Sequence, residues 1–234
     1  QEYKKNGKQY YLEVHIYPSK NGLSIYERDT TERKQNEERL RDSLRKLHVV
    51  QEGIVNIIAT ISEKRDPYIA GHQQRVAKLA ADIAKEMGLG SEEVEGIRVA
   101  GILHDIGKIF IPTEILSKPG PLSMYEVSLV HMYPQISYDI LKQVSFPWPV
   151  AKIALEHQEK VNGSGYPAGL KDGDILLQAR ILAVADFMDA ITSHRPYRPA
   201  LPLNEALALL KKESGVLYDR PAVDALLKVL ERKD

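Results

Sequence analysis

The chain has 234 residues, 43% of them hydrophobic and 27% charged, with 32 basic side chains balancing 32 acidic ones. A formal net charge of zero excludes a surface built for duplex nucleic acid, which needs a basic excess, and leaves room for a local cation cluster around a small phosphorylated ligand. The absence of cysteine excludes a disulfide framework and thiolate chemistry, and fits a reducing compartment such as the cytoplasm. No apolar run approaches the roughly 18 residues of a membrane helix, so no membrane segment is expected here, although the parent protein could be anchored upstream. The chain opens at Gln1 rather than methionine, in what reads as the middle of a domain, so a longer parent is expected.

In chain order, Gln9 to Tyr17 alternates in part and carries Tyr10, Tyr11, Val14, Ile16 and Tyr17, which predicts a strand. Asn21-Gly22 supplies the positive-φ positions of a turn into a second strand, Leu23 to Arg28. Two strands alone are marginal, so a missing upstream portion is expected to complete the sheet. Asp29 then offers an N-cap for a long helix. This hairpin followed by Arg28-Asp-Thr-Thr-Glu-Arg-Lys34 resembles the last two strands and exit of a PAS sensor domain; the alternative is an unrelated hairpin.

From Leu40 the apolar residues fall at Leu40, Leu44, Leu47, Ile54, Ile58 and Ile61, with Gln51 in the gap, which is the 3.5-residue period of a coiled coil. A parallel homodimer through this linker helix is expected, against the alternative of a helix folded back onto its own domain. Beyond Arg65-Asp-Pro67 the pattern is almost entirely helical. Helices are predicted over Arg75 to Met87, Ser91 to Leu103, from Ser123, from Tyr133 to about Val144, Val150 to Glu159, Leu176 to Ile191, Leu203 to Lys212 and Ala222 to Leu230. A glycine-rich loop, Asn162 to Gly173, interrupts them. The expected fold is mainly α, with residues 1–30 as a β-hairpin, 31–62 as the linker and 63–234 as a helical bundle.

The chemistry gathers on ionisable residues in apolar company. His104-Asp105 lies between Ile102-Leu103 and Ile106, where an unpaired charge is costly and a bound cation compensates. His72 leads into a helix, and Asp186 sits inside Leu182-Ala-Val-Ala-Asp-Phe-Met188. Helices that each present a ligand to a shared centre are how bundles build metal sites, and two histidines with two carboxylates suit a divalent transition metal. The bland alternative for His104-Asp105 alone is a core histidine met by a carboxylate.

His72, His104-Asp105 and Asp186 match the H…HD…D signature of HD-domain phosphohydrolases. The stretch His157-Gln-Glu-Lys-Val-Asn-Gly-Ser-Gly-Tyr-Pro167 resembles the HHExxDGxGYP loop of the HD-GYP subfamily, and Arg195-Pro-Tyr-Arg198 matches the same subfamily. The similarity runs from about Val55 to the C-terminus. It implies a metal-dependent phosphodiesterase that opens cyclic di-GMP to pGpG or GMP, with iron or manganese shared by the HD aspartate. By that resemblance the metal ligands are His72, His104, Asp105, Asp186 and His157. Asp105 and Lys108 serve the reaction, and Lys108, Gly165, Tyr166, Pro167, Arg195 and Arg198 hold the substrate.

The departures matter as much. The family's second metal is held by a histidine in an "HP" step and by both histidines of "HHE"; here these read Tyr133-Pro134 and His157-Gln158-Glu159. A tyrosine must lose a proton near pH 10 to bind well, and a glutamine carbonyl is a weak neutral donor, so Tyr133 and Gln158 are the weaker ligands. His131 is near, but two residues along a helix point it to another face. Tyr68 stands where three-metal members carry glutamate, and Asn162 replaces the loop's aspartate. One firmly held metal and a weak or absent second are expected. The alternative function is a catalytically weak cyclic di-GMP-binding or partner-docking module; a third reading, an HD phosphohydrolase acting on another nucleotide, is opposed by the GYP loop. An upstream sensor in cis completes the expected partners.

Overall fold

The computed structural model describes residues 2–5, 8–20, 22–64, 71–194 and 199–232, which divide into two compact units, Gln1–Ile54 and Val55–Asp234. In the first unit, strands β1 (Glu2–Lys5), β2 (Lys8–Ser19) and β3 (Gly22–Asp29) form an antiparallel sheet in that order. The predicted hairpin is present with longer strands, Ile16 opposite Ile25 and Ser19 opposite Gly22. Gly22 takes φ 148°, a conformation that favours glycine; Asn21 lies outside the described residues. The sequence pattern had not announced β1, which pairs with β2 through Tyr3 and Tyr10.

Asp29 caps helix α1 (Thr31–Glu63) as its position suggested: its Oδ1 accepts from the Thr31 N–H at 2.8 Å. The Thr30 N–H donates to the Tyr11 carbonyl at 2.8 Å, so β2 fixes where the helix starts. Leu40, Leu44, Leu47 and Ile54 are all more than half exposed along α1.

The last turns of α1 belong to the second unit, where Val55, Ala59 and Ser62 are buried at positions i, i+4 and i+7. This stripe is offset by one residue from the apolar seam read from the sequence, which leaves Ile61 exposed. There follow α2 (His72–Glu86), α3 (Ser91–Leu103), a 3-10 turn over Ile106–Phe110, α4 (Thr113–Leu116), α5 (Met124–Val130), α6 (Tyr133–Leu141), α7 (Val150–Glu156), α8 (Leu177–Thr192), α9 (Leu203–Glu213) and α10 (Arg220–Glu231). The segment from Arg65 to Ala70, with Tyr68, lies outside the described residues.

Helix α8 is apolar on nearly every face, and such a helix belongs at the centre. Its Ala179, Ile181, Leu182, Val184 and Ala185 are fully buried, as are Val76, Ala80 and Ile83 of α2 and Ile97 and Ile102 of α3. Helices α2 and α3 approach closely at Gly101, where a Cβ would sit 2.7 Å from the Ala77 Cα. That approach brings the His72 and His104 rings to 5.7 Å between centroids.

Helix α7 ends at Glu156 rather than at Glu159, so His157 and Gln158 sit in the turn beyond it. The reason lies in the loop that follows. The Glu159 carboxylate accepts from the backbone N–H groups of Ala168, Gly169 and Leu170 at 2.7, 3.2 and 2.9 Å, and that of Glu156 accepts from Leu176 at 2.7 Å. Two buried carboxylates thus collect the donors of the returning chain, which a continued helix would not allow.

Candidate metal centre and its cavity

Helix α3 stops at Leu103, and His104-Asp105 forms the step into the 3-10 turn. The Ser137 hydroxyl of α6 holds both sides of that step, donating to the His104 carbonyl at 2.8 Å and accepting from the Gly107 N–H at 2.9 Å. Any Cβ on Gly107 would collide with the Tyr133 carbonyl oxygen, so only glycine lets the turn lie against the start of α6. The Ser62 hydroxyl of α1 donates to the Asp105 carbonyl at 3.2 Å. The pair is therefore fixed by hydroxyls from two other helices, α6 and α1, rather than by the helix that leads to it.

Three imidazoles are oriented by the same device. The Nδ1 of His104 lies 2.8 Å from the Gly101 carbonyl and that of His157 lies 2.7 Å from the Ala154 carbonyl. The Nδ1 of His72 lies 2.7 Å from Asp189 Oδ2. Each contact assigns the ring proton to Nδ1 and leaves Nε2 as a lone pair facing inward. Asp189 is itself gripped by Arg75, through Nε at 2.6 Å and Nη2 at 3.0 Å.

The inward atoms converge. His72 Nε2 is 3.2 Å from Asp186 Oδ1, His104 Nε2 is 3.9 Å from that oxygen, and Asp105 Oδ2 lies 3.5 Å from His104 Nε2. Metal–ligand bonds of ~2.1 Å place neighbouring donors roughly 3.0–3.4 Å apart, so this spacing fits one divalent cation. Four buried side-chain nitrogen and oxygen atoms among the described residues have no hydrogen-bond partner, and three of them are His72 Nε2, His104 Nε2 and Asp105 Oδ1. Unmet lone pairs in a dry core are costly, and a cation satisfies them together. The His and Asp groups here are thus able to hold a divalent metal.

His104 and Asp105 also belong to a second cluster with His157, and there the inward nitrogen of His157 already has a partner. The Tyr133 hydroxyl donates to His157 Nε2 at 2.9 Å, and Gln158 Nε2 donates to Asp186 Oδ2 at 2.9 Å. Burial pushes the Tyr133 phenol well above its ordinary value, reinforced by the negative charge of Asp105, so it stays protonated. Burial also lowers His157 to about 3, with His104 adding to the effect. On the other side burial opposes charge on His72, but in ion-free protein the neighbouring Asp186 and Asp189 outweigh it and raise the group to about 9, so there Nε2 carries a second proton that a bound cation would displace. Burial works against the Asp186 carboxylate as well, yet its histidine neighbours hold it well below the usual range.

The cluster opens on a cavity of about 750 Å³ whose walls include Lys108, Tyr133, Gln158, Lys160, Tyr166 and Asp186. Lys108 Nζ donates to Asp105 Oδ2 at 2.6 Å and lies 4.8 Å from the centre of the Tyr133 ring. Gly165 is pressed against Glu159, where a Cβ would clash with backbone, and this sets the turn that presents Tyr166. The exposed His131 stacks on Tyr166 at 3.8 Å rather than entering the metal cluster. Its segment is indeed irregular, since α5 ends at Val130, but the freedom is used for that stack.

The structure thus brings together His72, His104, Asp105, Asp186, His157, Tyr133, Gln158, Lys108 and Tyr166, whereas Arg195 and Arg198 lie outside the described residues. Sequence reasoning assigned nothing to Asp189, Arg75, Ser137 or Glu159. The available signal for Asp189 was a second carboxylate one turn beyond Asp186 on an otherwise apolar helix.

A family profile described as HD domain matches residues 56–222. The cyclic di-GMP phosphodiesterase response regulator RpfG of Xanthomonas campestris pv. campestris is 41% identical over 194 residues, covering 82% of this chain and 51% of that protein. A cyclic di-GMP phosphodiesterase of Thermotoga maritima is 42% identical over 178 residues, covering 75% of this chain and 48% of that protein. The crystal structure of a cyclic GMP-AMP specific phosphodiesterase of Vibrio cholerae matches with a TM-score of 0.51 at 32% identity, over 77% of this chain and 41% of that one. The chain spans about half the length of the curated relatives it matches.

Proposed function

Because this chain belongs to the HD-domain family, we propose that its helical unit is a metal-dependent phosphodiesterase that opens cyclic di-GMP to pGpG or GMP. The observation that carries this reading is the trio of unmet ligand atoms on His72, His104 and Asp105, set beside Asp186 on the wall of a lysine-bearing cavity. The names of the two sequence relatives supply the substrate.

A divalent metal, iron or manganese in this reading, supplies Lewis acidity toward a phosphoryl oxygen and makes water a nucleophile near neutral pH. His72, His104, Asp105 and Asp186 hold it. Asp189 and Arg75 keep the His72 ring turned to offer Nε2. Lys108, steadied on Asp105, meets the negative charge that grows on the phosphate. Tyr166, with Gly165 and Pro167, shapes the wall for a guanine, and Arg195 and Arg198 are the expected phosphate contacts. A second metal is weak or absent, because His157 Nε2 is already hydrogen-bonded to Tyr133 and Gln158 offers only a neutral amide, itself turned to Asp186.

Those same two hydrogen bonds favour the second reading, a domain that binds the nucleotide and regulates a partner with little turnover. The exposed leucines of α1 support a homodimeric linker, and the sheet before it supports a PAS sensor acting in cis. Among the described residues no helix is long and apolar enough to cross a membrane; the cysteine-free composition supports a cytoplasmic location.

Incubation of the chain with cyclic di-GMP and manganese or ferrous iron, followed by chromatography, separates the readings. Appearance of pGpG or GMP, abolished by Asp105→Ala, is expected. Binding without cleavage would select the regulatory reading, and neither binding nor cleavage would contradict both.

A further inference from the structure

The cavity wall carries three lysines among the described residues, and their circumstances differ. Lys108 is paired with Asp105 at 2.6 Å, and Lys118 reaches both oxygens of Glu126 at 2.8 and 2.7 Å. Lys160 has no carboxylate within ion-pair distance among the described residues. Its ammonium sits 4.4 Å from the centre of the Tyr218 ring and 3.4 Å from the Tyr218 hydroxyl, contacts that hold its position without cancelling its charge. The Val161 N–H donates to the Leu217 carbonyl at 3.2 Å, which lays this stretch of chain against the segment bearing Tyr218. Tyr218 in turn packs on Phe187 with ring centres 4.7 Å apart, and both rings line the cavity.

Resting on the function proposed above, we infer that Lys160, held in place by Tyr218, forms a phosphate subsite for the second phosphodiester of a cyclic dinucleotide. The reacting phosphate belongs with the metal ligands and Lys108. A ring with two phosphodiesters brings a second negative charge into the same cavity, and Lys160 is the described lysine there without a carboxylate of its own. A charge-assisted hydrogen bond fixes that phosphate, and the buried Tyr218 beneath it holds the lysine in place. A ligand with a single phosphodiester leaves Lys160 unused, so the subsite selects for the cyclic, doubly charged substrate.

The test titrates the full chain calorimetrically with two non-hydrolysable phosphorothioate analogues, one of cyclic di-GMP and one of GpG, which carries a single phosphodiester. Lys160→Gln is expected to weaken binding of the cyclic analogue about tenfold or more and that of the GpG analogue less than about threefold. Lys160→Arg, which restores the charge, is expected to recover most of the loss. Lys160→Ala serves in parallel, and the thermal midpoint and metal content of each variant check its fold. Equal weakening of both analogues would move Lys160 to the reacting phosphate and overturn the subsite, as would no weakening of either. Wild-type protein that binds neither analogue would instead overturn the proposed function, and the subsite with it.

Discussion

Two ligand clusters share His104, and the other histidine of each is finished in the opposite way. His72 Nε2 ends in a buried space with no hydrogen-bond partner, as do His104 Nε2 and Asp105 Oδ1 beside it. His157 Nε2, by contrast, already accepts from the Tyr133 hydroxyl, while the Gln158 amide takes one oxygen of Asp186, a ligand on the His72 side. Similar residue types therefore give one histidine that asks for a cation and another whose demand a phenol has already met. Ligand-type residues in proximity do not suffice to mark a metal site; what marks it is donor capacity left unspent in a place water does not reach.

The difference is breakable by substitution. Replacing Tyr133 and Gln158 together by histidine removes both internal hydrogen bonds and offers two imidazoles, so bound metal should rise from about one to about two ions per chain. Elemental analysis of the purified variant reads this directly, and an unchanged ratio would show that Tyr133 and Gln158 are not what closes the second cluster. A smaller effect is expected from Asp189→Asn, which weakens the hold on the His72 ring and leaves the four inward ligands in place. Loss of an outer carboxylate of this kind lowers metal affinity by roughly 10–100-fold. A competitive chelator titration measures it, with Asp189→Glu retaining part of the affinity.

The smallest effect concerns acid and base in ion-free protein, where the two sides pull in opposite directions. His72 is raised to about 9 in the fold, so its stabilising contribution is complete below its ordinary value of about 6.5 and is lost as pH rises through about 9. His157 is lowered to about 3, so the unfolded chain takes up a proton that the fold refuses, and stability falls as pH drops from about 6.5 towards about 3. His157→Gln should flatten the acid limb of the thermal midpoint between about pH 6 and pH 4. The gain is at most about 1.4 kcal/mol per pH unit; an unaltered acid limb would show that His157 is not held neutral.

Much of the helical unit was readable from periodicity and caps. Ser91 to Leu103 has the predicted bounds, and Asp29 caps α1 where its residue type suggested. The convergence of His72, His104, Asp105 and Asp186 followed from polar residues at apolar positions, each needing a partner. What escaped the sequence depends on packing between distant segments. The end of α7 is set by loop N–H groups that reach Glu159 from nine to eleven residues on. The packed stripe at the end of α1 differs from the apolar seam by one residue because Ala59 and Ser62, neither strongly apolar, face the core. Asp189 lies 117 residues from the ring it orients, and no local pattern encodes that distance.

The central claim is that one cation belongs among His72, His104, Asp105 and Asp186. Anomalous diffraction from crystals grown with manganese tests it most directly. The account predicts a single strong peak within bonding distance of His72 Nε2, His104 Nε2, Asp105 and Asp186. A peak lodged instead between His157 and Tyr133, or no peak beside those four residues, would contradict it.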